Sequence, residues 1–334
     1  MDPFQLSSFF LFQPRPSRQP QRARREKQRF LKPERKREMK KSRRESTADK
    51  LTNLLFTLPA VILYTIFFIY AVFVGINYSF TDWDGIGKTY SYIGFTNYIN
   101  LFQNQFFWSS MGITLKYALM LVVGVMSVSL VLALSLNSIK RLKTLTKSVF
   151  FVPAMIGGVT IALIFDQIYY RLLPSVGEAL GISWLMQSPL ASTQTALPAV
   201  VFVNVWQAVA MPTLIFIAGL QSVPQDLYES AMLDGATVFN RFRYITFPYL
   251  MPTFTINLVL AIKSGITSFD YAYALTAGGP SRSTTVIGIL IYNDAFNNMK
   301  FSQANAEAVI LFILIALLSL LQIKISSKGG VNQV

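Results

Sequence analysis

The sequence predicts an all-α integral membrane protein with six transmembrane helices and both termini in the cytoplasm. Three observations predict it. Of 334 residues, 52% are hydrophobic and only 14% are charged, against about 25% charged in ordinary soluble domains. Apolar runs of about 18 residues or more recur, each long enough to cross a bilayer. Positive charge collects in alternate connecting segments, the bias that orients membrane proteins.

The elements follow in order. Residues 1–50 read as a basic, disordered cytoplasmic extension, holding 16 Lys/Arg against 6 Asp/Glu and so +10 of the chain's net +14. Such an arm suits anionic lipid or nucleic acid, but a positive-inside leader is the simpler reading, and no nucleic-acid partner is expected. The apolar patch Phe9–Phe12 is too short for a signal peptide, and its charges follow rather than precede it. Met39 opens Met-Lys-Lys-Ser-Arg-Arg, a second plausible start, so residues 1–38 read as an upstream extension.

A membrane domain is expected over 51–326, followed by a cytoplasmic tail over 327–334. Span one, 54–80, carries Pro59 in its first turns, where proline is tolerated. A polar, aromatic loop with Asp82, Trp83, Asp84, Asn97 and Asn100 leads to span two, 112–136. Span three, 148–169, contains Pro153, Gly157 and Gly158, which predict a kink or a close helix contact. Residues 170–195 read as an extramembrane connection with one short helix near 175–185. Spans four, five and six are expected over 196–220, 247–270 and 306–325. With the N-terminus inside, the inner segments hold Lys140, Arg141, Lys143, Lys147, Arg241, Arg243, Lys324 and Lys328. The outer segments hold only Lys88, Arg171, Arg282 and Lys300.

Composition also excludes chemistry. The chain has no Cys and no His, so it has no disulfide framework, no thiol nucleophile and none of the commonest general base and metal ligand. Its carboxylates outside the leader are scattered, and neither a catalytic residue nor a metal site is expected. Gly85-Ile86-Gly87-Lys88-Thr89 echoes the end of a phosphate-binding loop, but Asp82 stands where its first glycine belongs and no strand precedes it. Gly157-Gly158 reads as helix packing, not as a nucleotide fingerprint.

Between spans four and five lies a polar segment, about 226–247, that the orientation places in the cytoplasm. Asp226 is suited to cap a helix beginning near Leu227, with Glu229 three residues on. Gly235 is suited to end that helix in a left-handed conformation. A second helix is expected over 236–244, and Pro248 is expected to open span five. Two short helices about a glycine turn make a knob for a groove on a partner; a loop helix lying on lipid is the alternative.

The order Glu229-x-Ala231-x-x-Asp234-Gly235-Ala236, then Phe242-x-x-Ile245-x-x-Pro248, resembles the EAA coupling motif of ABC importer permeases. Ser230 departs from the Ala frequent there, and Phe247 from a Leu. A second stretch, Phe269-Asp270 through Leu275-Thr276-x-Gly278-Gly279-Pro280 and on to Thr284-Thr285, is similar to the outer-face signature of carbohydrate-uptake permeases of the MalF/UgpA-like half of the heterodimer. The resemblance covers roughly residues 48–326 and lacks the long outer domain of the maltose permease. It implies a type I ABC importer permease fold in the cell membrane. It also implies a second, MalG-like permease, two ATP-binding subunits, an extracytoplasmic sugar-binding protein, and a sugar or oligosaccharide cargo. The chain itself would be no enzyme and bind no cofactor, ATP and Mg being used by the partner ATPase, in whose cleft the Glu229–Phe247 knob would sit.

Polar side chains within spans are costly and point to function. Asn204, Trp206, Gln207, Lys263, Ser264 and Asp270 form a candidate substrate path, in which hydroxyls meet amides and charges while sugar C–H faces meet an aromatic ring. Asp270 lies two turns beyond Lys263, about 10 Å along a helix axis; it and Asp166 are candidate partners for that lysine. The alternatives are hydrogen bonds between helices and snorkelling near the outer surface. Other functions weighed are import of glycerol phosphate or a polyol, a stand-alone secondary transporter or channel, which calls for inverted repeats not seen here, and an intramembrane enzyme, which calls for paired acids or His.

Overall fold

The computed structural model describes residues 47–138 and 151–330. The expected N-terminal extension up to residue 46, the basic connection 139–150 and residues 331–334 lie outside the described residues. The described chain is helical, apart from loops and one antiparallel bridge between Thr81 and Tyr92. It divides into two units, residues 1–71 and 72–334.

In the first unit, α1 (Thr47–Tyr64) passes into a π turn, Thr65–Tyr70. Because the helix begins at Thr47, Pro59 sits in its interior rather than in its first turns. Large apolar side chains from Leu54 to Tyr70 are exposed on it, the pattern of a helix apolar on every side.

The second unit opens with α2 (Ala71–Tyr78, its first residue at the boundary) and the bridge loop. In that loop the backbone N–H groups of Gly87 and Ile86 donate to Asp84 and hold its carboxyl below the usual range. The expected long loop to residue 110 is shorter than predicted, because α3 (Thr96–Gln103) occupies it and α4 (Gln105–Ser138) begins seven residues early. Asn104 supplies the reason: its side-chain oxygen accepts from Phe106 N–H at 2.9 Å and starts the new helix. Asn97, buried, ties α3 down by donating to the carbonyls of Ser79 and Thr81 at 2.8 Å each.

Residues 151–155 are helical and the chain breaks at Ile156–Gly157, as the glycine pair predicts. From there α5 (Gly158–Gln167) runs through a π turn, Ile168–Leu172, into α6 (Leu173–Leu180). The connection expected from residue 170 is therefore helical as far as Leu180. Span four is two helices, α7 (Ala196–Ala208) and α8 (Ala210–Gln221), bent by 48°. Pro212 causes the bend: it has no N–H for the carbonyl of Ala208.

The polar segment between spans four and five begins with α9 (Gln225–Leu233). Next, α10 (Val238–Arg241), the π turn Phe242–Thr246 and α11 (Phe247–Ile266) form one 29-residue helix. The second knob helix is shorter than expected and runs without a break into α11, and Pro248 stands in the first turn of α11, as expected, where the wider π turn makes room for its ring. Span five stops at Ile266, and Asp270 instead opens α12 (Asp270–Thr276). The helical spacing between Lys263 and Asp270 therefore does not exist. Last come α13 (Ile287–Tyr292), a π turn Asn293–Asn297, and α14 (Phe301–Gly330), longer at both ends than expected. Among the described residues, four helices are long and apolar enough to cross a membrane, five if α7 and α8 count as one span.

The core runs along α4. One part joins Tyr117, Leu121 and Val125 to Ile161, Val200, Val203, Ala261 and Leu275. Its other part joins Met126, Ala133 and Leu136 to Phe216, Leu220 and Leu250. Between them α4 and α11 meet at backbone distance: a Cβ on Gly265 would lie 2.7 Å from Ala118 Cα. Small residues permit such contact, which is how helices associate where lipid removes the hydrophobic drive.

Candidate functional site

The knob is built by its own backbone chemistry. Pro224, not Asp226, takes the N-cap position of α9, and Asp226 lies in the first turn, where negative charge suits the helix dipole. Side-chain capping falls instead to Thr237, whose hydroxyl oxygen accepts from Asn240 N–H at 3.3 Å. At the other end of α9, Gly235 has φ +73°. Its N–H donates to Met232 O at 3.1 Å, and Ala236 N–H donates to Ala231 O at 2.9 Å. That pair of bonds is a Schellman closure, which satisfies carbonyls the helix end leaves open.

The residues of the expected coupling motif separate by exposure. Glu229, Asp234 and Gly235 are exposed, Ala231 and Ala236 half-buried. Phe242 and Ile245 are half-buried on the root of the long helix, Pro248 is exposed there, and Phe242 packs against Phe247 with ring centroids 6.3 Å apart. The Tyr228 hydroxyl meets that of Thr246 at 2.8 Å and pins α9 to the π turn. Around this frame Leu233 (89% exposed), Val238 (74%) and Phe239 (66%) stand free. The arrangement is a braced apolar knob with acidic corners, rigidly continuous with a 29-residue helix.

The candidate path residues divide into a buried and an exposed set. Asn204 is buried, and its amide donates to Tyr117 Oη at 2.8 Å, joining α7 to α4. Gln207 is half-buried; its amide nitrogen donates to Ile156 O, and its amide oxygen accepts from the Tyr271 hydroxyl. Trp206, Lys263, Ser264 and Asp270 are exposed. Trp206 stands edge-on to Phe165, ring centroids 5.4 Å apart. Asp270 lies within electrostatic reach of Tyr117 and Tyr271. Asp166 accepts a 3.3 Å hydrogen bond from its neighbour Gln167. The structure thus gathers Asn204, Gln207 and Asp270 around two tyrosines where α4, α7 and α12 meet.

At the outer signature, Phe269 stacks on Tyr273 at 5.0 Å and Leu275 is buried. Ala277 and Gly278 are left-handed, and Gly279-Pro280 is a cis peptide. Three hydroxyls lace the turn. Thr276 meets Thr284 at 2.6 Å, Thr284 donates to Gly279 O at 2.8 Å, and Thr285 donates to Gly278 O at 3.0 Å.

Four residues escaped the sequence reading. Lys116, exposed on α4, is a second cation within a span. Glu307 on α14 is fully buried, with no hydrogen-bond partner for either oxygen among the described residues. Both interrupt apolar runs, the signal that found Lys263. Tyr117 and Tyr271 carried no such signal, since aromatic residues in spans ordinarily read as packing.

Residues 126–328 match a family described as "binding-protein-dependent transport system inner membrane component". The chain is 42% identical over 280 residues to the multiple sugar-binding transport system permease protein MsmF of Streptococcus mutans, covering 84% of this chain and 97% of that one. It is 32% identical to the probable starch degradation products transport system permease protein AmyD of Thermoanaerobacterium thermosulfurigenes, covering 83% and 94%. Its fold resembles that of a chain from a bacterial ABC transporter involved in import of the acidic polysaccharide alginate. There the TM-score is 0.73 at 22% identity, over 86% of this chain and 97% of that chain.

Proposed function

We propose a transport mechanism from the premise that the chain belongs to the family of binding-protein-dependent transport system inner membrane components. It is a multi-pass permease of the cell membrane. In our reading it crosses six times, with both termini in the cytoplasm. It is one of a pair of permeases that import a sugar or oligosaccharide handed over by an extracytoplasmic binding protein. Two ATP-binding subunits dock on the cytoplasmic side and use ATP and Mg; this chain holds no cofactor and does no chemistry.

One observation carries the mechanism: the braced knob Gln225–Arg241 is continuous with the helix that ends at Ile266. Exposed Leu233, Val238 and Phe239 would fill an ATPase cleft, with Glu229 placed for a basic group at its rim. Movement of the ATPases then turns α11 as a lever. Because α11 meets α4 at backbone distance at Gly265, the turn reaches the polar cluster around Tyr117 and Tyr271. Trp206, Lys263, Ser264 and Asp270 line the cargo path against the second permease, joined by Lys116.

The sugar class is supported by the names of the two relatives at 42% and 32% identity. Glycerol phosphate is disfavoured by the same names. The test is ATP-dependent uptake of labelled oligosaccharides by the full transporter in proteoliposomes. Uptake that needs ATP, the binding protein and an intact knob is expected; uptake surviving without the ATPase subunits would return the chain to the secondary transporters.

A further inference from the structure

A cavity of about 710 Å³ opens beside the Gly278-Gly279-Pro280 turn, bounded by Asn104 at the head of α4 and by the Asn293–Lys300 segment. The knob adjoins the start of the long helix, and the cavity segment follows its end. That helix has 29 residues, about 43 Å at 1.5 Å per residue. The cavity therefore lies on the opposite side of the membrane from the knob. Its volume falls within the roughly 300–1,000 Å³ of small-molecule sites.

The lining has a definite hydrogen-bonding logic. Four of its amides have one half committed inside the protein and the other half unused among the described residues. Asn104 spends its oxygen on Phe106 N–H, and Asn293 spends its oxygen on Asn297, so both present N–H groups. Asn297 spends its nitrogen on Asn293, and Asn298 spends its nitrogen on Asp294, so both present a carbonyl. Donors and acceptors thus both border one space. A sugar hydroxyl, which donates one bond and accepts others, needs that mixture; an anion needs donors only.

Charge agrees. Arg282 lies 3.9 Å over the Phe106 ring, which fixes its guanidinium at the wall. Lys300 and Asp294 complete the charged set, and the Asp294 carboxylate is already held by Asn298 at 2.7 Å and Gln303 at 3.4 Å. Mixed signs suit a neutral polyhydroxyl ligand better than a phosphate. None of the candidate path residues lines this cavity.

We propose that this cavity is a second cargo subsite, which holds one end of a neutral glycan at the outer face before the glycan enters the membrane path. The proposal rests on the sugar-importer reading. The chain has no native cysteine, so Asn297→Cys and, in a separate protein, Ser281→Cys report on the cavity alone. Each is placed in the complete transporter in nanodiscs and labelled with maleimide in the presence of maltotriose, galactotriose or arabinotriose. The trisaccharide that the wild-type complex imports is expected to slow labelling at both cavity cysteines several-fold. It should leave Trp184→Cys, which is 77% exposed and outside the cavity, unaffected. Adding Arg282→Met should raise the protecting concentration about ten-fold, as loss of a charged hydrogen bond implies. Undiminished labelling by an imported trisaccharide means the cavity is a solvent cleft and overturns the subsite alone. Failure of the wild type to import any of the three removes the sugar-importer reading, and the subsite with it.

Discussion

Gly235 carries two separable demands, and one substitution pair separates them. A Cβ at this position meets nothing within 4 Å in the chain itself, yet φ is +73°. Within the chain, Gly235→Ala therefore costs only backbone strain, about 1–2 kcal/mol, and Gly235→Asn costs less because Asn tolerates the left-handed region. Both variants should retain folded protein by size exclusion. If the ATPase presses on this turn, both should also lose co-purifying ATPase subunits, Asn more than Ala because it is larger; full retention by both removes Gly235 from the docking face. Glu307 supports a prediction of opposite sign. A fully buried carboxyl with neither oxygen bonded among the described residues is a standing cost. Glu307→Gln keeps its shape and can never ionise, so it should raise the thermal midpoint in detergent at alkaline pH, by the equivalent of about 1 kcal/mol or more. A fall instead would mean that the charge is compensated in the assembly. At this scale the sequence spelled out the turn that ends α9, because a glycine stands where a Schellman closure needs a left-handed residue. It was silent about Tyr117 and Tyr271, since nothing local marks an aromatic residue whose hydroxyl meets an amide 87 or 64 residues away.

Helix existence was legible where apolar runs are long, and helix ends were not. Asn104 starts α4 seven residues before the apolar run begins, because one side-chain bond is enough to cap a helix that the run then sustains. At Pro248 the proline does stand in the first turn of α11, but the helix reaches back through a π turn to the knob, which no local signal announced. Segment 267–270 misled for a third reason, since residues polar enough to line a path are also polar enough to end a span. Gly265 tests how tightly the resulting elements are locked. A side chain there would run into the backbone of Ala118 at 2.7 Å, which cannot rotate away. Gly265→Leu should thus cost at least the roughly 1–3 kcal/mol typical of overpacking, seen as a lower midpoint. Gly265→Ala should be milder but should still reduce uptake, because α4 and α11 must stay in register for the lever to act. Normal stability and uptake in the Leu variant would show that the two helices part there in the membrane.

For the whole molecule, orientation is the property on which the mechanism turns. Two arguments support the proposed orientation. Basic residues collect in alternate connecting segments of the six-span reading, and the proposed docking of the knob on an ATPase calls for it to face the cytoplasm. The long helix sets the scale: its 29 residues span about 43 Å, so its two ends cannot share a face. The absence of native cysteine permits a direct measurement. Asn240→Cys, exposed on α10, should resist a membrane-impermeant maleimide in intact cells and react after permeabilisation. Trp184→Cys, on the connection after α6, should react in intact cells at once. The reverse pattern would invert the permease and place the knob outside, away from any ATPase. Equal labelling at both positions would mean an odd number of crossings between residues 184 and 240 is wrong, and that the bent pair α7–α8 enters and leaves by the same face rather than spanning.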